Sequence, residues 1–107
     1  EVYCFDIDGT ICEEKRGDCA NAQPIKSRIS IVNQLYDRGA TIYLMTARGM
    51  LGADNNQQVA DENMRELTET QLKEWGVSYH QLFFGKPRAM HSVDDKGWND
   101  SDFFRQF

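Results

Sequence analysis

The segment that most constrains the fold is an apolar run that ends in two acids, Tyr3-Cys4-Phe5-Asp6-Ile7-Asp8-Gly9-Thr10. Aromatic residues with few polar neighbours favour a β-strand that is buried on both faces, as in a parallel sheet. Gly9 indicates that this strand ends in a loop. Asp6 and Asp8 would then lie at the carboxyl end of a buried strand, where open α/β sheets bind their ligands. Two carboxylates this close require a cation, a positive side chain or a shared proton, and a divalent metal is the simplest solution.

An isolated Asp-x-Asp pair is more often a solvated turn, so the interpretation depends on the rest of the chain. Strand and helix patterns alternate there, which predicts a parallel sheet covered by helices. Helical spacing, Pro24 as a first-turn residue and a capping box at 68–71 predict helices over 24–38, 59–66, 68–75 and 97–107. Short apolar runs predict further strands over 41–45, 79–84 and 90–93. Residues 11–22 are predicted to form a charged flap and residues 49–58 a loop.

The segment between the last two predicted strands conflicts with a regular parallel sheet. Neighbouring parallel strands need a connection of about a dozen residues or more. The segment from Phe84 to Met90 is too short for such a crossover. The order of these two strands is therefore left open by the sequence.

Size, charge and cysteine content exclude several classes of protein. The 107 residues suffice for one domain, and we expect residues 1–107 to form it. The formal charge of −5, without a dense basic cluster, argues against extended nucleic acid as a partner. No apolar run approaches the ~20 residues that span a membrane. Three cysteines and the lack of a signal peptide predict a reducing, cytoplasmic location, and no histidine lies near Cys12 or Cys19 to suggest zinc.

Polar side chains of complementary chemistry follow the predicted strands, namely Asp6 and Asp8, Thr46, Lys86, and Asp94 and Asp95. Carboxylates can hold an octahedral Mg²⁺ through oxygen ligands and leave positions for water and substrate. Thr46 and Lys86 can donate to phosphoryl oxygens. Asp6 can then attack phosphorus and form a covalent intermediate. The sequence therefore predicts a site for a metal and a phosphate at one edge of the sheet.

Four segments resemble, in order, the four motifs of the haloacid dehalogenase-like hydrolases: Phe5-Asp6-Ile7-Asp8-Gly9-Thr10, Thr46-Ala47-Arg48, Gly85-Lys86-Pro87 and Val93-Asp94-Asp95. The resemblance implies that Asp6 is the nucleophile that becomes an aspartyl-phosphate. It implies that Asp8 is the general acid and then the general base, and that its backbone carbonyl binds Mg²⁺. The motif-two hydroxyl and the motif-three lysine correspond to Thr46 and Lys86.

The same resemblance gives a full set of candidate site residues. The catalytic residues would be Asp6, Asp8, Thr46 and Lys86, and the residues that bind Mg²⁺ would be Asp6, Asp8 and at least one of Asp94 and Asp95. Residues expected to bind the substrate are Gly9, Thr10, Ala47 and Arg48. Two interpretations of Arg48 stay open with equal weight: an arginine on the surface, or, because it lies beside Thr46, a residue that contacts a substrate anion. His80 and His91 lie in predicted strands and are interpreted as packed or surface residues.

The resemblance also implies a fold and an activity. The fold would be a Rossmann-like parallel sheet flanked by helices, truncated at its C-terminal end and without a cap domain. The activity would be that of a Mg²⁺-dependent phosphomonoesterase acting on a small phosphorylated metabolite such as a sugar or polyol phosphate. The acid at position 8 favours a phosphatase, because dehalogenases lack it and transport ATPases carry threonine there. Two alternatives are a nucleotide or polynucleotide end phosphatase and a catalytically silent binding module.

A capless site on a small domain is open to water. The aromatic residues near the C-terminus offer an apolar patch for a partner. We therefore expect a homo-oligomer in which the neighbouring subunit helps to enclose the site.

Overall fold

The computed structural model describes residues 1–15, 17–50, 56–85, 91–93 and 104. Within these ranges the strands are β1 (Val2–Asp6), β2 (Thr41–Thr46), β3 (Gln81–Phe84) and β4 (His91–Val93). Helix α1 (Lys26–Asp37) connects β1 to β2, and helix α2 (Gln57–Trp75) precedes β3. The strands form one parallel sheet in the order β3-β2-β1-β4. The predicted α/β class with a parallel sheet is confirmed.

Strand β1 lies in the interior of the sheet. On one side Asp6 pairs with Met45 of β2, and on the other side Phe5 pairs with Val93 of β4. Cys4 and Phe5 are fully buried, as the apolar run predicts. Because the strands are parallel, the carboxyl ends of β1 and β2 meet at the same edge of the sheet, which places Asp6 beside the last residues of β2.

The last two strands of the described chain, β3 and β4, are not neighbours in the sheet. They lie on opposite sides of the β2–β1 pair. The separation across the sheet is about 14 Å, given strand spacings of about 4.8 Å. Because the strands are parallel, the chain must also return from the level of Thr46 to that of Ile42, which adds about 13 Å along the strands. The seven peptide steps from Phe84 to His91 can extend about 23 Å. The order of these two strands, which the sequence left open, is set by the pairing of β3 with β2 and of β4 with β1.

Helix α2 is continuous, so the prediction of two helices over 59–66 and 68–75 was wrong. The helix begins after Asn56, whose side chain accepts hydrogen bonds from the backbone N–H groups of Gln58 and Val59. Thr68 does not cap a helix but lies inside one and is fully buried. Its hydroxyl accepts a hydrogen bond from Arg48, which lies outside the helix, and the helix continues through this position. The capping-box spacing at 68–71 therefore does not mark the start of a helix. Gly76 ends the helix in a left-handed conformation, as predicted.

The remaining predicted boundaries differ by small amounts. Helix α1 begins at Lys26, and Pro24 precedes it in an isolated bridge with Cys12. The flap (residues 11–22) contains a short 3₁₀ turn over Cys19–Asn21. Of the helix predicted over 97–107, the structure describes only Phe104, which is buried and stacks on Phe5. In the described part of the chain, no helix has both the length and the apolarity to cross a membrane.

Gly49, just after β2, allows a stability prediction. Its φ is +77°, and a Cβ atom there would lie 2.7 Å from Met64 Cγ. Gly49→Ala should lower the free energy of unfolding by about 1–3 kcal/mol, because it adds left-handed strain and a contact that Met64 must relieve. Chemical denaturation monitored by circular dichroism measures the loss.

Gly76→Ala is the matched control for this substitution. Its φ is +71°, and a Cβ atom there meets nothing within 4 Å. This variant therefore measures the cost of a left-handed alanine without the contact with Met64. An equal loss of stability in both variants would contradict a packing role for Gly49.

Candidate active site

The loop after β1 is built around one backbone carbonyl. The oxygen of Ile7 accepts hydrogen bonds from the N–H groups of Thr10, Ile11 and Cys12, at 3.2, 3.0 and 3.3 Å. The N–H of Gly9 returns to the carbonyl of Cys12 at 2.9 Å, and Gly9 adopts φ +84°. The positive φ explains why glycine follows the second acid. These bonds hold the segment that carries Asp8 in one conformation.

The two acids of this loop are both partly buried. Oδ1 of Asp6 accepts a hydrogen bond from the N–H of Ile7 at 2.9 Å, which orients the carboxylate at the end of β1. The side chain of Asp8 is 22% exposed and forms an ion pair with Arg48. The pair predicted from the sequence therefore lies at the carboxyl end of the strand, with a positive side chain beside it.

Arg48 binds Asp8 through one edge of its guanidinium. Nε lies 3.2 and 3.0 Å from Oδ1 and Oδ2 of Asp8, and Nη2 lies 3.0 Å from Oδ1. The hydroxyl of Thr46 also donates to Oδ2 of Asp8 at 3.3 Å. Both oxygens of Asp8 therefore accept from donors, which is the arrangement of an ionised carboxylate. A guanidinium edge of this kind binds a carboxylate and a phosphate with the same geometry.

The Arg48 side chain is only 3% exposed, so its interpretation as a surface arginine was wrong. Its backbone N–H donates to Thr46 Oγ1 at 3.1 Å, which fixes the turn after β2. Burial alone would lower the pKa of Arg48, but the hydrogen bonds and charge of Asp8 outweigh it and raise the pKa. The guanidinium therefore stays charged inside the protein.

The other end of the guanidinium contacts helix α2. Nη1 of Arg48 donates to Thr68 Oγ1 at 3.3 Å and to Gln71 Oε1. Nε2 of Gln71 in turn donates to the backbone carbonyl of Cys19 in the flap at 2.7 Å. A chain of hydrogen bonds thus runs from Asp8 through Arg48 and Gln71 to the flap.

Cys12 lies against the same carboxylate. Its thiol is 3.6 Å from Asp8 Oδ1 and 3.5 Å from the Ile7 carbonyl. Burial, together with the negative charge of Asp8, raises the pKa of Cys12 to about 12. The thiol therefore stays protonated at neutral pH and acts as a weak donor to these oxygens.

The structure brings part of the predicted site together. Asp8 binds both Thr46 and Arg48 at the carboxyl ends of β1 and β2, and Asp6 is the last residue of β1, paired with Met45. Among the other residues predicted to bind the substrate, Gly9 and Ala47 are exposed and Thr10 is 2% exposed. Lys86, Asp94 and Asp95 lie outside the described residues. Val93 is described, and it pairs with Phe5 at the end of β1.

Sequence reasoning missed Thr68, Gln71 and Cys12. The signal for the first was present, because Thr68 lies on the same helical stripe as Ala60, Met64 and Leu72, four residues apart. A polar residue in an apolar stripe indicates a buried partner. Residues 68–71 have the spacing of a capping box, which instead predicts that Thr68 caps a helix. Nothing local to Cys12 pointed to Asp8.

The donor atoms in this region suit a hard cation. The acids supply oxygen ligands, which Mg²⁺ prefers. In residues 1–15, 17–50, 56–85, 91–93 and 104, no group of three or more His, Cys, Asp or Glu side chains is placed to hold a metal ion. Asp6 fits as one ligand by its chemistry and position. A complete set requires acids from beyond the described ranges, and Asp94 and Asp95 follow β4 in the sequence.

Surface depressions lie elsewhere on the molecule. One of about 470 Å³ runs along α2 beside Arg65, and one of about 420 Å³ lies between α1 and Trp75. Neither is lined by Asp6 or Asp8. The candidate site is therefore defined by its chemistry, at an open edge of the sheet.

The order of the strands and the position of the acids at and after the end of β1 can be compared with those of solved structures. The chain has the fold of the haloacid dehalogenase-like phosphatases. No family model matches the sequence, and no curated protein is significantly similar to it. The assignment of the fold rests on solved structures.

One such structure is a structural genomics target from Vibrio cholerae, with a TM-score of 0.80 and 24% identity. The match covers 97% of this chain and 87% of that chain. The D,D-heptose 1,7-bisphosphate phosphatase from B. bronchiseptica, complexed with magnesium and phosphate, has a TM-score of 0.55 and 14% identity. The chain covers 53% of that protein, and the match includes 90% of this chain.

A chain of the Pnkp1/Rnl/Hen1 RNA repair complex is similar as well, with a TM-score of 0.59 and 15% identity. The match covers 98% of this chain and 30% of that chain. These proteins share the fold with this chain. Their identities are too low to transfer an activity.

Proposed function

We propose that the protein is a Mg²⁺-dependent phosphomonoesterase that acts through an aspartyl-phosphate on Asp6. The observation that carries this proposal is that Asp6 ends β1 at the same edge of the sheet where Asp8 binds Thr46 and Arg48. Asp6 is partly buried and its carboxylate is oriented by the N–H of Ile7. It is therefore held in position to act as a nucleophile.

The reaction would proceed in two steps. A carboxylate oxygen of Asp6 attacks phosphorus, the bond from phosphorus to the leaving oxygen breaks, and Asp8 gives that oxygen a proton. Asp8 then removes a proton from a water molecule, which attacks the phosphorus of the aspartyl-phosphate. Inorganic phosphate leaves and the carboxylate of Asp6 is restored.

Arg48 links substrate binding to the state of Asp8. In the structure the Nε and Nη2 edge of Arg48 holds Asp8 as an ionised carboxylate. A substrate phosphate has the geometry to compete for that edge. We propose that the incoming phosphate takes this edge, which frees the side chain of Asp8 for its role as acid and base.

The metal would be held by the carboxylates of Asp6 and of Asp94 or Asp95, and by the backbone carbonyl of Asp8. When bound, Mg²⁺ offsets the repulsion between these carboxylates and the negative phosphoryl oxygens. The hydroxyl of Thr46 now donates its one proton to Asp8, and it would donate that proton to a phosphoryl oxygen instead when the substrate is bound. Lys86 is proposed for the same task.

Turnover should require Mg²⁺ and be inhibited by Ca²⁺. Calcium accepts up to eight loosely arranged oxygens, so it favours binding of both Asp6 oxygens and removes the nucleophile. Hydrolysis of nitrophenyl phosphate should stop after exhaustive chelation, return on addition of Mg²⁺, and stay absent with Ca²⁺ alone. Full turnover in calcium or in the chelated protein would overturn the metal assignment.

The substrate is proposed to be a small phosphorylated metabolite, such as a sugar or polyol phosphate. The similar heptose bisphosphate phosphatase supports this class. The likeness to a chain of an RNA repair complex favours a second candidate, an end phosphatase for nucleotides or polynucleotides. The net charge of −5 disfavours a long polyanion. A screen that includes sugar phosphates, polyol phosphates, mononucleotides and an oligonucleotide with a terminal phosphate would decide between the two.

A further inference from the structure

Two polar residues on helix α2 face the core where apolar residues are expected. Thr68 is fully buried and Gln71 is 5% exposed. Thr68 continues the stripe of Ala60 and Leu72, which are both fully buried. Burial of a hydroxyl or an amide without a hydrogen-bond partner costs free energy, so these two side chains require specific partners in the core.

Both residues bind the same atom of Arg48. Nη1 donates to Thr68 Oγ1 and to Gln71 Oε1. The Nε and Nη2 atoms on the opposite edge of the guanidinium bind Asp8. A planar guanidinium that is fixed at Nη1 can present only this second edge to the site.

Gln71 makes a second contact with its other amide atom. Nε2 donates to the carbonyl of Cys19, which also accepts from the N–H of Ala22 in the 3₁₀ turn of the flap. One side chain thus joins Arg48 to the flap.

We propose that Thr68 and Gln71 are positioning residues that fix the guanidinium of Arg48, and that Gln71 couples this guanidinium to the flap. The proposal rests on the proposed function and extends it. Neither residue touches the reacting atoms. Their task is to aim the edge of Arg48 that holds Asp8 and that a substrate phosphate would take.

Steady-state kinetics with nitrophenyl phosphate test the first half. Thr68→Val and Gln71→Met keep the volume of the side chain and remove the acceptors of Nη1. Each should lower kcat/KM about 10- to 100-fold, mostly through a higher KM, because an unanchored guanidinium binds phosphate less well. Thr68→Ser keeps the hydroxyl and should restore parental KM.

Thr70→Val is the matched control, because Thr70 is exposed on the same helix. It should leave both constants unchanged. A merely structural role for Thr68 and Gln71 would lower the active fraction, and hence kcat, with KM unchanged. Such a result, or parental KM in both variants, would overturn the positioning role.

Hydrogen exchange measured by mass spectrometry tests the second half without any turnover. Gln71→Met should speed the exchange of flap amides, including that of Ala22, about 10-fold, since it removes the bond to Cys19. Thr68→Val should leave the flap at the parental rate. Equal rates in all variants would overturn the coupling. If the parent hydrolyses no phosphate ester, the proposed function fails, while the exchange data still decide whether Gln71 holds the flap.

Discussion

Replacement of Asp6 by asparagine is expected to abolish turnover of every phosphate ester. An amide oxygen is a poor nucleophile and carries no charge, so the covalent step cannot occur. The expected fall in kcat is on the order of 10⁶, the scale seen when a covalent nucleophile is removed. A continuous assay with nitrophenyl phosphate at high protein concentration sets an upper limit on the residual kcat of Asp6→Asn.

The control for this substitution is Asp37→Asn. Asp37 is exposed at the end of α1, far along the chain from the acids of β1. It should retain parental kcat and KM, which separates loss of charge from loss of the nucleophile. Trapping with radiolabelled phosphate ester should label the parent and not Asp6→Asn. Turnover above a thousandth of the parental rate in Asp6→Asn would exclude Asp6 as the nucleophile.

Replacement of Asp8 by asparagine should produce a different defect, which depends on the leaving group. An alkyl phosphate needs a proton on its departing oxygen, so loss of the general acid should slow the first step about 10²- to 10⁴-fold. Nitrophenolate leaves without that proton, and the first step should survive. Hydrolysis of the aspartyl-phosphate still needs Asp8 as a base. Rapid mixing should therefore give a burst of up to one equivalent of nitrophenol, followed by a stall.

The ion pair with Arg48 adds a second expectation for this variant. The carboxylate of Asp8 now occupies the Nε and Nη2 edge of the guanidinium. The neutral asparagine competes less well than a carboxylate for this edge of Arg48. Inorganic phosphate with Mg²⁺ should therefore bind Asp8→Asn more tightly than the parent in calorimetric titration. Steady turnover without a burst, at close to the parental rate, would mean that Asp8 is not the acid and base.

The sheet could be predicted from the sequence because its strands are short apolar runs that end at polar residues. Cys4 and Phe5 of β1, and Leu44 of β2, carry that pattern and are fully buried. The order of β3 and β4 could not be predicted, because local pattern does not encode which strands pair. The pairing of Phe5 with Val93 joins residues at opposite ends of the chain.

The predicted site could be placed only in part, for a related reason. The motif residues Asp6, Asp8 and Thr46 follow strands, and the strand ends fix their positions. The direction of Arg48 depends on the turn at Gly49 and on two polar residues of α2. These lie 20 and 23 residues further along the chain. Such a contact arises from packing of a helix on the sheet and has no local signature.

The central position of β1 has a consequence for synthesis of the chain. β1 gains one neighbour when β2 is made and the other only when residues 91–93 follow. The ribosome adds about 5–20 residues per second, so the interval from β2 to β4 lasts roughly 2–10 s. During that interval β1 has an open apolar edge, the kind of edge on which strands of other chains can pair. The nascent chain therefore exposes this edge of β1 from the synthesis of β2 until that of β4.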